Sequence, residues 1–124
     1  MIFDTLTQKI TEKKNPTCVG LDTQKGHVPE EITKKYDMNT LPGAAEAIVE
    51  YNRALIEALC EFVPAVKIQV AYYETLGVAG MQAFVKTLQM AKQAGLITIA
   101  DCKRNDIAST AGAYAAAYFA ENAP

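Results

Sequence analysis

The sequence predicts an α/β fold built on a parallel sheet, and three observations carry that reading. Short runs rich in β-branched residues alternate with longer segments whose apolar residues recur every three or four positions. The order is one helix followed by three strand–helix pairs, the pattern of βα units. No internal repeat, low-complexity tract or interdomain linker interrupts it. Two architectures accommodate such a chain: a small doubly wound sheet, or part of a (β/α)₈ barrel. In both, function gathers at the C-terminal ends of the strands.

Residues 2–13 read as a helix, because Ile2, Phe3, Leu6 and Ile10 share one face at helical spacing. Asn15-Pro16 stops it, since a proline pushes the preceding residue out of the α region. Residues 17–21 (TCVGL) form a first strand that ends at Asp22. Residues 23–41 are a long polar connection, in which residues 30–36 suit a turn of helix. Pro42 fits a first helical turn. The helix over 43–62 turns Ala44, Ala47, Ile48, Tyr51, Leu55, Ala58, Leu59 and Phe62 inward, and Pro64 ends it.

Residues 65–70 (AVKIQV) form a second strand, with Lys67 and Gln69 alternating against Val66, Ile68 and Val70. Residues 72–76 suit another turn of helix. The helix over 77–94 places Met81, Phe84, Val85, Leu88 and Ala91 inside, and Gly95 follows as its C-terminal cap. Residues 96–100 (LITIA) form a third strand that runs into Asp101, the loop CKRND follows, and residues 107–122 form an Ala- and Tyr-rich helix.

At 124 residues, 50% hydrophobic and 21% charged, the chain has the size of one domain with a real core, and general disorder is excluded. A net charge of −2 offers no basic excess, so neither nucleic acid nor an anionic membrane is an expected partner. No apolar stretch approaches the roughly 20 residues of a membrane span. The opening MIFDTLTQKITEKKN is charged and amphipathic, unlike a secretory signal, which makes the cytoplasm the expected setting. Cys18, Cys60 and Cys102 are odd in number and lack a CxxC pair, as expected of buried thiols in a reducing compartment.

Charged groups stand where the strands end. Asp22 follows the first strand, Lys67 interrupts the second, and Asp101-x-Lys103-x-x-Asp106 follows the third. In an extended segment residues two apart project to the same side, so Asp101 and Lys103 point together. Two carboxylates and two lysines in a partly buried pocket shape one another's protonation, and such an array holds a lysine ready to deliver a proton. The plainer alternatives are a turn-forming Asp22, a snorkelling Lys67 and a surface ion-pair loop at 101–106. Arg104 reads as a structural or surface cation, and Ser109 or Thr110 also suits a helix cap. His27, the single histidine, reads as solvated. The tyrosine pairs Tyr72/Tyr73 and Tyr114/Tyr118 read as packing residues. Neither GxGxxG, GxxxxGK[ST] nor GxSxG occurs.

The segment AVKIQVAYYETLGVAGMQAFVKTLQMAKQAGLITIADCKRNDIASTAGAYAAAYF resembles orotidine 5′-phosphate decarboxylase, in particular its longer bacterial subgroup. The opening FDTLTQKITEKKNPTCVGLDT is similar to that subgroup's N-terminus, and D-x-K-R-x-D-I-x-x-T is the specific signature. The resemblance implies a (β/α)₈ TIM barrel, active as a homodimer, that converts orotidine 5′-phosphate to UMP and carbon dioxide in pyrimidine biosynthesis. It implies no metal and no organic cofactor. The family's charged array carries over as Lys67, Asp101, Lys103 and Asp106. By this resemblance Lys103 protonates carbon 6 of the pyrimidine, Asp101 lies near the departing carboxylate, and Lys67 and Asp22 hold the array and the ribose hydroxyls. Asp106, Ile107 and Thr110 are then expected at the ribose site of a partner subunit.

A barrel of this type has about 250 residues and eight strands, against three strands read here. The expectation is therefore the N-terminal portion of a single barrel domain, with the phosphate-gripping loop and arginine on later strands. Such a piece alone should be inactive and leave an aggregation-prone strand edge. Two other readings stay open: a magnesium-dependent sugar-phosphate decarboxylase or aldolase sharing D-x-K-x-x-D, and a non-catalytic fragment acting as an assembly module.

Overall fold

The structure, a computed structural model, describes residues 1–121 and 123. Helix α1 (Ile2–Lys13) ends at Lys14, whose left-handed backbone (φ 49°) closes its last turn. Strand β1 (Cys18–Gly20) leads to a 3₁₀ turn (Lys25–His27) and a one-turn helix α2 (Glu30–Thr33). Helix α3 (Leu41–Leu59) starts where the Thr40 hydroxyl accepts the Gly43 N–H at 3.1 Å, with Pro42 in the first turn. Strand β2 (Ala65–Gln69) runs directly into α4 (Val70–Glu74), then α5 (Gly77–Gln93), β3 (Ile97–Asp101) and α6 (Ala108–Phe119). Gly95 takes the left-handed conformation (φ 78°) that turns the chain from α5 into β3.

The three strands are parallel in the order β1-β2-β3. Lys67 pairs with Gly20 on one side and Ile99 on the other, and Gln69 pairs with Asp101. These residues therefore share one face of the sheet. Val66 and Ile68 take the opposite face and are fully buried in the core with α3 and α5, which pack against each other. Right-handed crossovers put both helices on that side. The doubly wound and barrel architectures share this three-strand order, so topology alone does not separate them.

Helix α3 stops at Leu59, and Phe62 lies beyond it, 65% exposed, because the chain turns at Cys60–Phe62 to enter β2. Asn52 and Ile56 are buried on α3 where Ala58 was expected, so the inner face is rotated. Met81 and Val85 on α5 are only half-buried, while Ala83 and Thr87 are buried. The apolar face of α1 is real, yet Ile2 and Phe3 are exposed. Polar bonds hold α1 in place: Lys13 Nζ donates to the Cys60 carbonyl at 2.7 Å, beside the C-terminus of α3. Of the thiols only Cys102 is buried; Cys18 is exposed because it lies on the Lys67 face of β1. Helix α6 begins at Ala108 and ends at Phe119, and Asn122, expected to be its last residue, lies outside the described residues.

Candidate active site

The sheet register builds the site. Asp22 lies two residues past β1, Lys67 in mid-β2, Asp101 at the end of β3 and Lys103 in the following loop. Lys67 Nζ donates to both carboxylate oxygens of Asp22, at 2.8 and 3.0 Å, and stands 3.8 Å from Asp101 Oδ2. Lys103 Nζ donates to Asp101 Oδ1 at 2.6 Å. The charges thus alternate in space: Asp22, Lys67, Asp101, Lys103. Gln69 completes the coordination of Asp101 by donating to Oδ2 at 2.8 Å.

The electrostatics follow from these contacts. The hydrogen bond from Lys67 to Asp22 pushes the lysine above its ordinary value. Partial burial opposes this, while the charges of Asp22 and Asp101 add to it. Asp101 is held below the usual carboxylate value, first by its hydrogen bond with Lys103, against some desolvation. The charges of Lys103 and Lys67 and the Gln69 amide act in the same direction. The Asp101–Lys67 pair is therefore ionised across the neutral range.

Lys103 reaches Asp101 from a left-handed backbone (φ 51°), a conformation that costs a non-glycine residue about 1–2 kcal/mol. Its side chain is 71% exposed, so the ammonium sits at the open tip of the array while Asp101 below it is largely covered. Arg104 holds the same loop: one guanidinium nitrogen donates to the Cys102 carbonyl at 2.7 Å and the other pairs with Glu74 at the end of α4. The reading of Arg104 as a structural cation fits this placement.

Asp106, Ile107 and Thr110 are not brought into the array. Asp106 Oδ1 accepts the Ile107 N–H at 2.7 Å, and all three residues are exposed on the loop and the first turn of α6. Neither Ser109 nor Thr110 caps that helix, since both already lie inside it. His27 is exposed and uses Nδ1 to accept the Gln24 N–H at 3.3 Å. A cleft of about 770 Å³ runs between β3 and α6, lined by Ile99, Tyr114, Tyr118 and Lys103 among others. It borders the outer edge of β3, which pairs with no other described strand, and neither Lys67 nor Asp22 lines it.

Gln69 was not singled out by sequence reasoning, although its position two residues after Lys67 on the same strand face signals it. A buried polar cluster was also missed. Asn52, Thr23 and Thr87 are buried, and Asn52 lies four residues from both Ile48 and Ile56 on the inner stripe of α3.

The sequence model of the Orotidine 5'-phosphate decarboxylase / HUMPS family matches residues 15–123. The chain is 40% identical over 119 residues to the orotidine 5′-phosphate decarboxylase of Clostridium novyi, which covers 96% of this chain and 39% of the relative. It is 42% identical to that of Clostridium acetobutylicum, with 96% and 40% covered. The solved structure of Leishmania donovani OMP decarboxylase superposes with a TM-score of 0.70 at 32% identity, over 95% of this chain and 39% of that one. The fold is that of a TIM barrel, of which the described residues supply three consecutive strands. The chain belongs to the orotidine 5′-phosphate decarboxylase / HUMPS family. It spans about two-fifths of the length of the curated relatives it matches.

Proposed function

We propose that the full-length polypeptide carrying this chain decarboxylates orotidine 5′-phosphate to UMP, a step of pyrimidine biosynthesis. Residues 1–124 would form the N-terminal portion of its single barrel domain. The observation that carries the reading is the alternating row Asp22–Lys67–Asp101–Lys103 at the C-terminal ends of three parallel strands. Decarboxylation breaks the bond between carbon 6 and the carboxylate, and carbon dioxide departs without the bonding electron pair. That pair stays on carbon 6 with little resonance relief, so catalysis must come from charge that favours the transition state over the ground state.

The Lys103 ammonium, at the exposed tip of the array, is suited to face that developing charge and to transfer its proton to carbon 6. Asp101 would face the departing carboxylate, and Lys67 and Asp22 would hold the array and meet the ribose hydroxyls. The exposed Asp106, Ile107 and Thr110 would face the ribose site of a second copy, making the working unit a homodimer. The reading requires neither metal nor organic cofactor, and its setting is the cytoplasm. Grip on the phosphate would come from strands beyond β3, so residues 1–124 alone are expected to be inactive.

The test is Lys103→Ala in the full-length polypeptide. UMP formation should vanish while the thermal transition and far-UV spectrum persist, and near-normal turnover would remove Lys103 from the role of proton donor. Activity lost to a chelator and regained with magnesium would favour the magnesium-dependent relatives instead.

A further inference from the structure

Beneath the charged array lies a closed set of buried hydrogen bonds. Asn52 on α3 is fully buried, as are Tyr73 on α4 and Thr87 on α5. The Thr23 hydroxyl donates to Asn52 Oδ1 at 2.6 Å. Asn52 Nδ2 donates to the Tyr73 hydroxyl at 2.8 Å and to Thr87 Oγ1 at 3.2 Å. The Tyr73 hydroxyl donates to the Leu21 carbonyl at 3.3 Å, and Thr87 donates to the Ala83 carbonyl at 2.8 Å. Every hydroxyl donates once, both amide protons of Asn52 are used, and no described buried side-chain polar atom lacks a partner. Burial keeps Tyr73 a donor, with its pKa pushed up to about 12.

The bonds converge on one short stretch. Leu21 and Thr23 flank Asp22, and the network holds the carbonyl of the first and the side chain of the second. The Leu21 N–H, meanwhile, donates to the Lys67 carbonyl at 2.8 Å. Asp22 is thus pinned on both sides, so that its carboxylate meets Lys67. We propose that Thr23 and Tyr73, joined through Asn52, are positioning residues that set the strand end that carries Asp22 and so the Asp22–Lys67 ion pair. Stability alone does not call for such a hub. Replacing buried hydrogen-bonding partners by apolar groups of the same shape is often close to neutral, whereas a satisfied polar network fixes a single geometry. The inference rests on the proposed decarboxylase reading for its kinetic consequence, but not for its structural one.

The experiment compares Thr23→Val and Tyr73→Phe, each of which removes one hydroxyl at nearly constant shape, with Val63→Ala. Val63 is buried at the opposite end of the sheet, just before β2. In the full-length polypeptide the two network variants should lower kcat/KM for orotidine 5′-phosphate by about tenfold or more, as misplaced charged groups do. Val63→Ala, with an equal or larger fall in Tm, should change it by less than about threefold. Thr23→Ser, which keeps the hydroxyl, should restore kcat/KM. Crystal structures should show the 2.8 Å Lys67–Asp22 ion pair broken or split between two conformers in the network variants and intact in Val63→Ala. Rates that track Tm across all three variants, or an unchanged ion pair in both network variants, would overturn the proposal. If the unaltered protein does not decarboxylate orotidine 5′-phosphate, the functional reading falls and the crystallographic comparison still decides this one. If Thr23→Val does not fold, Tyr73→Phe decides.

Discussion

Lys67 grips both carboxylate oxygens of Asp22, at 2.8 and 3.0 Å, and still stands 3.8 Å from Asp101 on the neighbouring strand side of the sheet. It is the shared cation of two carboxylates. Without it, Asp22 and Asp101 would face the same space with only Lys103 at the tip to neutralise them. Lys67→Met in the full-length polypeptide should therefore lower turnover by about a thousandfold, a loss typical of removing preorganised charge. Stability should fall by only ~0–1 kcal/mol, because the paired side chains are partly exposed. Steady-state kinetics beside a thermal melt measure both, and a turnover loss below about tenfold would count against the shared-cation role.

The pH behaviour follows from the signs of the shifts. Asp101 is lowered from 3.8, so its contribution to stability is fully present above that value and is lost as pH falls through the lowered one. Lys67 is raised from 10.5, so its contribution is fully present below that value and is lost as pH rises through the raised one. Neither group titrates in the neutral range. Asp101→Asn should make the acid limb of a stability–pH curve shallower and leave the curve flat where it was flat before. Chemical denaturation at a series of pH values reads this directly. An unchanged acid limb would mean that Lys103, Lys67 and Gln69 together do not hold Asp101 below its ordinary value.

Lys103 combines an exposed ammonium with a left-handed backbone. Lys103→Ala and Lys103→Gly both remove the charge, but only glycine relieves the strain. The glycine variant should be the more stable of the two by ~1 kcal/mol, with both inactive. Paired urea melts of the full-length variants measure the difference. Equal stabilities would show that the loop relaxes at no cost and that position 103 stores no backbone strain.

The sequence exposed the strands, the long helices and the groups at the strand ends, because period-two and period-3.6 patterns are strong where one face is buried. Asp22, Lys67, Asp101 and Lys103 were legible for that reason, and the structure brings them together. Asn52 was not, since a lone amide on an apolar stripe shows its partners only when Thr23, Tyr73 and Thr87 arrive from three other segments. Phe62 and Cys18 differ from the sequence pattern for different reasons. Phe62 fits the helical stripe but follows the helix end, and the hydrophobicity of a thiol says nothing about which sheet face it takes. Asp106, Ile107 and Thr110 stay exposed on the loop and the first turn of α6, apart from the array.

Gly80 on α5 lies directly against Tyr73 of α4. A β-carbon there would fall 1.8 Å from the Tyr73 carbonyl oxygen and 2.8 Å from Leu76 Cβ, so backbone rather than a flexible side chain would have to give way. Gly80→Ala must push α5 off α4 and disturb Tyr73, whose ring packs edge-on against Phe84 with centroids 5.5 Å apart. The expected loss is ~2–3 kcal/mol, the scale of overpacking a well-filled core. Activity should fall with it, since Tyr73 also holds the Leu21 carbonyl beside Asp22. Gly112 is the contrasting case: it lies within α6, and a β-carbon there would meet nothing within 4 Å. Gly112→Ala should raise stability by ~0.5–1 kcal/mol through helix propensity alone. Thermal melts of the two variants in the full-length polypeptide should thus move in opposite directions. A Gly80→Ala protein as stable and active as the parent would show that α4 and α5 can separate without cost, and that Tyr73 is not clamped between them.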